Sequence, residues 1–197
     1  MNGQYTFGLP IKTRYAEYVV VESVFSNDEL AAIRNLWNPE NVYDSLLNST
    51  EGNQQDQNLR QSSLNLLLPD EKMGWIFERI ARAAIEQNTH WFNFELHGLN
   101  EGLQLAKYDQ TDQFNWHMDY GGALASTRKL SVSVQLSESE EYEGGDLQFM
   151  INDKHYNMPR AAGTVIVFPS YMVHRVTPIT SGTRMSLVGW VHGTPFR

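Results

Sequence analysis

The chain is 197 residues long, 41% hydrophobic and 12% aromatic, with no cysteine and a formal net charge of −8. A chain of this size can bury one substantial core, so residues 1–197 are expected to form a single ordered domain. Without cysteine there is no disulfide framework and no thiolate ligand or nucleophile, and an acidic chain lacking a lysine- or arginine-rich run speaks against a broad nucleic-acid footprint. The first eight residues carry neither the basic nor the apolar region of a signal peptide, and no run reaches membrane-span length. The expectation is a cytoplasmic protein with no membrane partner.

Tyr18–Phe25 is rich in β-branched and aromatic residues and reads as a strand. Ser26 and Glu29 then fit a capping box, and Leu30, Ile33, Leu36 and Trp37 form the apolar stripe of a helix that Pro39 closes. Asn41–Gln61 is polar, either a solvated excursion or a flap over a substrate groove. A second helix opens at Pro69-Asp70-Glu71, buries Met73, Ile76, Phe77, Ile80 and Ala84, and runs to about Asn88. From Phe94 onward the chain changes to strands: Phe94–His97, Gly102–Tyr108, Lys129–Leu136, Asp146–Met150, Thr164–Phe168 and Arg184–Val191. Lys129–Leu136 alternates apolar and polar residues, the pattern of a strand with one buried face. Ser137–Tyr142 reads as an acidic solvated turn, Asn152-Asp153-Lys154 as a hairpin turn and Thr180–Thr183 as another turn. Helices followed by seven or eight short strands predict a β-rich α+β fold, a jelly roll of the double-stranded β-helix kind. Helical support would span about 26–90 and the jelly-roll core about 94–192.

Phe114–Tyr120 carries the chemistry. His117 and Asp119 stand two residues apart, and in an extended strand such residues share a face. A His-x-Asp triplet alone is weak; a third ligand would complete it. His174, after the apolar run Val165–Phe168, is the best candidate. Two histidines and one carboxylate form the facial triad of non-haem Fe(II) oxygenases. Arg184 follows across a turn containing Pro178 and Gly182. A buried guanidinium needs an anion, and its planar fork suits a carboxylate. Ser186, two residues on, shares its face, and Tyr108 ends the strand before the triplet. A metal with open positions and an arginine a small molecule away fit a dicarboxylate chelated at one end and clamped at the other, namely 2-oxoglutarate.

These segments resemble the Fe(II)/2-oxoglutarate-dependent oxygenases of the prolyl 4-hydroxylase type. The similarity rests on His117-x-Asp119, the glycine pair Gly144-Gly145 before Leu147, and His174-Arg175-Val176-x-Pro178 leading through Gly182-Thr183 to Arg184-x-Ser186, within a match from about Val19 to Val191. The resemblance implies His117, Asp119 and His174 as iron ligands, and Arg184, assisted by Tyr108, as the group that binds 2-oxoglutarate. It further implies hydroxylation of a peptide or protein residue, proline first, with dioxygen as cosubstrate, succinate and carbon dioxide as coproducts and ascorbate as a candidate reductant. Two positions depart from the family: Thr111 stands where glycine is common, and Phe114 replaces the commoner tyrosine. A free amino acid or other small molecule is the main alternative substrate, ahead of a nucleic-acid demethylase or a jelly roll that only binds. By strand alternation Trp116 and Tyr120 should point away from the metal, where either could line the substrate groove. His90, His97, His155 and His192 have no ligand-spaced partner, and Arg128 and Lys129 either touch substrate or end a strand in solvent.

Overall fold

The computed structural model describes residues 14–44 and 59–196. The first strand is short, β1 (Val19–Val21), because Ser23 turns the chain through a left-handed φ of 61°. Helix α1 (Asn27–Arg34) has the capping box in full: Ser26 Oγ accepts from the Glu29 N–H, and Glu29 Oε2 accepts from the Ser26 N–H. The helix stops at Arg34, short of the expected Leu36 and Trp37, and Pro39 opens a 3-10 turn at Pro39–Asn41. The polar stretch expected over Asn41–Gln61 falls largely outside the described residues, at 45–58. Its described ends are β2 (Tyr43–Asp44) and β3 (Arg60–Gln61), and β4 (Ser63–Leu67) follows directly. Asp70 Oδ1 accepts from the N–H groups of Lys72 and Met73 and so leads into α2 (Gly74–Gln87). A π-helical turn, Asn88–Phe92, ends it at Asn93, whose φ is 56°.

The remaining strands are β5 (Leu96–Leu99), β6 (Leu103–Tyr108), β7 (Gln113–His117), β8 (Arg128–Gln135), β9 (Tyr142–Gly144), β10 (Leu147–Ile151), β11 (Lys154–Asn157), β12 (Val165–Pro169), β13 (His174–Val176), β14 (Ile179–Gly182) and β15 (Arg184–Gly193). The seven or eight strands expected are thus eleven, because the acidic segment and the turn at Thr180–Gly182 meet as a small β9–β14 ladder. The major sheet runs β1-β12-β8-β15-β6-β4-β2, with β5 also on β15; the minor sheet runs β11-β10-β13-β7-β3. All the pairings are antiparallel. This is the double-stranded β-helix.

Both faces of the major sheet are covered. Leu130, Val132 and Val134 of β8 and Met185, Leu187 and Val191 of β15 pack with Ile76, Phe77 and Ile80 of α2 and Ile33 of α1. Between the sheets, Ala106, Tyr108, Ile166 and Phe168 meet Leu147, Phe149 and Val176. The alternation of β8 therefore does not mean one wet face: Ser131, Ser133 and Gln135 are all buried, on the side facing the minor sheet. Polar residues at buried positions are costly unless hydrogen-bonded, so these three mark the functional interior. Among the described residues no helix is long and apolar enough to cross a membrane.

The turn from β6 to β7 holds Thr111 at φ 77°, left-handed backbone that glycine adopts freely and a β-branched residue does not. The conformation persists because the Thr111 N–H donates to the Ile179 carbonyl while the Ile179 N–H donates to Asp112, docking the turn on β14. Thr111→Gly is expected to relieve roughly 1 kcal/mol of this strain, net of the added unfolded-state entropy. Urea unfolding should show a higher midpoint for the variant, and a lower one would mean the threonine side chain contributes more than its backbone costs.

Candidate metal and cosubstrate site

His117 ends β7 and His174 begins β13, and the ladder sets them directly opposite each other. Asp119 follows β7 on the same side, held by its N–H donating to the Ser170 carbonyl at 2.9 Å. The three side chains converge: one donor atom from each lies within 4.8 Å of the others. Nε2 of His117 stands 3.7 Å from Asp119 Oδ1, and Nε2 of His174 stands 3.6 Å from Oδ2.

The imidazoles are oriented by the backbone. Nδ1 of His117 lies 2.7 Å from the Asn115 carbonyl and Nδ1 of His174 lies 2.9 Å from the Met172 carbonyl. A carbonyl only accepts, so each Nδ1 carries the hydrogen and each Nε2 lone pair is left facing the carboxylate. Such second contacts fix tautomer and ring angle in metal sites. Phe114 stacks on His117 with 3.5 Å between centroids, and Phe168 meets His174 edge-on at 4.9 Å. Asp119 Oδ2 accepts from Ser131 Oγ at 2.7 Å, with Ser170 Oγ 3.0 Å beyond. Burial pushes the Asp119 carboxyl up, but His174, His117 and the Ser131 hydroxyl outweigh it and hold the group well below the usual carboxylate range. Burial drives the His174 imidazole down to about 4 against the pull of Asp119. The carboxylate is therefore charged and His174 neutral at pH 7, the states in which both donate to a cation.

The pocket at this cluster runs between the sheets to Arg184. Arg184, Ser186, Val188 and Trp190 line it from one face of β15. Arg184 is 1% exposed. Nη1 donates to Ser186 Oγ at 3.2 Å and Nη2 to Gln135 Oε1 at 2.9 Å, while the buried Nε has no partner. Tyr108, paired with Arg184 in the ladder, puts its ring centroid 5.4 Å from the guanidinium carbon. Among the described residues no carboxylate lies within ion-pair distance of Arg184. A buried guanidinium without a counter-charge is expensive, and Arg184 lines the same pocket as the histidine and aspartate cluster.

Other expected roles resolve differently. Phe114 lines the pocket, but Trp116 packs under Arg175 and beside His155 on the outer side, and Tyr120 lies against Phe196. Arg128 is no solvated strand end: it pairs with Glu101, donates to the Asp119 carbonyl and stacks on Trp190. Lys129 is buried with its ammonium over the Phe196 ring. His192 is fully buried against Glu101. Ser131, Gln135 and Arg60 are the residues that sequence reasoning overlooked. The small polar residues of β8 were the available signal for the first two.

Residues 103–192 match the model of the 2OG-Fe(II) oxygenase superfamily. Over this stretch, a little under half of the sequence, the chain is similar to a 2OG-Fe(II) oxygenase domain. The chain is 25% identical over 178 residues to a PKHD-type hydroxylase of Crocosphaera subtropica, covering 88% of this chain and 78% of that one. To a PKHD-type hydroxylase of Synechococcus sp. CC9902 it is 34% identical over 89 residues, 45% of this chain and 40% of the relative, so the aligned part spans about two fifths of that protein. Among solved structures, a prolyl-4-hydroxylase of Pseudomonas putida superposes with a TM-score of 0.72 at 19% identity, over 92% of this chain and 94% of the other. A Trichoplax adhaerens prolyl hydroxylase in complex with a hypoxia-inducible-factor peptide gives 0.73 at 14% identity, over 90% and 84%. At these identities the structural likeness concerns the fold of the oxygenase domain.

Two substitutions separate ligand from support. His174→Ala is expected to abolish stoichiometric Fe(II) binding by calorimetry while the far-ultraviolet circular dichroism stays native. Ser131→Ala is expected to weaken Fe(II) binding roughly 10–100-fold without abolishing it. Unchanged affinity in the serine variant would show that the Asp119 carboxylate is held without that hydroxyl.

Proposed function

We propose that the protein is an Fe(II)- and 2-oxoglutarate-dependent dioxygenase that hydroxylates a peptidyl residue, proline in an extended segment, releasing succinate and carbon dioxide. One observation carries this reading. A single pocket has oriented nitrogen and oxygen donors at one end and, at the other, a buried guanidinium with no carboxylate of its own. His117, Asp119 and His174 would hold the iron, and Arg184, with Ser186 and Tyr108 beside it, would hold the distal carboxylate of 2-oxoglutarate. Both groups fit the residues present: the donor set is borderline-hard and incomplete, as an oxygenase site requires, and the arginine's Nε is an orphan donor. When bound, iron and 2-oxoglutarate supply the oxidising power that puts one atom of dioxygen into a substrate C–H bond.

The chain's own contribution is orientation and exclusion of water. The carbonyls of Asn115 and Met172 aim the two imidazoles, Ser131 steadies the carboxylate, and Gln135 and Ser186 set the plane of the guanidinium. Phe168, Leu147 and Val188 wall the pocket with apolar surface, which strengthens charge interactions inside it. For the substrate, the support is the peptide bound by the Trichoplax relative and the aromatic face of Phe114 at the pocket, since proline rings pack well on aromatic rings.

The test has two arms. Incubation with proline-containing peptides, Fe(II), ascorbate and 2-oxoglutarate should add one oxygen to proline by mass spectrometry. If no peptide gains oxygen while a free amino acid stimulates succinate release, the substrate is the small molecule instead. Arg184→Ala should weaken 2-oxoglutarate binding at least about tenfold, because a buried charge-assisted pair is worth on the order of 2–5 kcal/mol, with Fe(II) affinity retained. Unchanged 2-oxoglutarate affinity would move the clamp elsewhere.

A further inference from the structure

The pocket holds a second arginine. Arg60, on β3, pairs with Phe114 of β7. Its guanidinium carbon lies 4.6 Å from the Phe114 ring centroid, and that ring stacks at 3.5 Å on His117. One phenyl ring therefore separates the guanidinium from a residue of the metal cluster. Arg60 is pinned in place: Nε donates to Ser62 Oγ at 2.9 Å and Nη1 to Gln104 Oε1 at 3.2 Å. Both partners are neutral, and among the described residues no carboxylate lies within ion-pair distance. Half-buried Arg128 and Arg160 have Glu101 and Asp146; Arg175 shares the amide-and-ring setting of Arg60 but lies on Trp116 at the outer side, away from the pocket. Nη2 of Arg60 makes no hydrogen bond among the described residues, and the side chain lines the pocket.

The charges of the pocket lead to the same place. Its lining carries three side chains with a fixed formal charge: Asp119, Arg184 and Arg60. Fe(II) and the 2-oxoglutarate dianion cancel each other. With both bound, the carboxylate of Asp119 offsets one guanidinium, and one positive charge remains. Arg184 is buried and is the group proposed to hold the cosubstrate. The surplus therefore belongs to Arg60, beside the metal cluster and on the strand nearest the described edge of the minor sheet. A planar fork stacked on an aromatic ring, with donors to spare, is the geometry that takes a carboxylate. A single surplus charge suits a carboxylate better than a phosphate, which carries nearly two.

We propose that Arg60 selects the primary substrate by pairing with a carboxylate that the substrate carries within a few bonds of its reacting carbon. This rests on the reading of the pocket as an Fe(II) and 2-oxoglutarate site. The carboxylate has two sources, an acidic residue next to the reacting one in a peptide, or the α-carboxylate of a free amino acid.

The experiment is calorimetric and needs no turnover. The protein loaded with Ni(II) and 2-oxoglutarate is titrated with two matched pairs: proline peptides with Glu or Gln beside the proline, and L-proline against L-prolinamide. In the wild type the carboxylate member of one pair should bind roughly tenfold more tightly, and the pair that shows the preference identifies the source. In Arg60→Gln the preference should shrink to about twofold or less, and in Arg60→Glu it should invert, with Ni(II) and 2-oxoglutarate still bound by both variants. Equal binding of the members of both pairs, no binding of any probe, or a preference that survives in Arg60→Gln overturns the proposal while the metal and cosubstrate reading stands. Failure of the wild type to take up 2-oxoglutarate overturns both.

Discussion

The site depends on one register. Antiparallel pairing of β7 with β13 puts His174 opposite His117, and in a ladder of period two a slip of one residue would turn one imidazole to the outer face. The register is held from both sides. Phe149 of β10 pairs with His174, and Arg60 of β3 pairs with Phe114. It is also held from beneath, because Ser170 takes the N–H groups of both Asp119 and Tyr120 on its carbonyl. The segment between β12 and β13 thus positions the carboxylate as well as the second histidine. Residues more than 50 positions apart in the chain converge on one cluster because two sheets and a bend agree.

The major sheet supplies what the minor sheet cannot. β8 and β15 each present an apolar row to the helices and a polar row to the interior, and the two polar rows are in contact. Ser131 reaches Asp119, while Gln135 and Ser186 reach Arg184. One pair of strands therefore serves both ends of the pocket. The cost of burying these polar groups is offset in part by hydrogen bonds among themselves; among the described residues Nε of Arg184 and Nε1 of Trp190 stay without partners, as do Nε of Arg160 and Nε2 of His192 away from the pocket.

The parts of this arrangement that are local in sequence were legible there. Ser26 and Glu29 announced α1, the helical stripe through Ile76 and Ile80 announced α2, and alternation announced β8. His117-x-Asp119 and the Arg184-x-Ser186 pair were legible because each stands two residues apart, the second pair on one face of β15 and the first at the end of β7. What was hidden is nonlocal. Nothing in Ser63–Leu67, five residues with three leucines, says that it extends the major sheet beside β6. Arg60 stands in a polar stretch whose composition reads as loop, and only its pairing with β7 brings it to the pocket. The buried polar face of β8 was misread as solvent-facing because periodicity reports which residues share a face, not what covers it. Thr111 is a different case, a residue whose type argues against the backbone it adopts, and the docking of its turn on β14 overrides the preference.

If His117, Asp119 and His174 hold Fe(II) while Arg184 holds 2-oxoglutarate in the same pocket, the cosubstrate meets the metal. Anaerobic visible spectroscopy reads that contact. Adding Fe(II) and 2-oxoglutarate together to the protein should produce a metal-to-ligand charge-transfer band that neither produces alone, that succinate does not produce, and that His174→Ala lacks. The absence of such a band at saturating Fe(II) and 2-oxoglutarate, or its full retention in His174→Ala, would contradict the account.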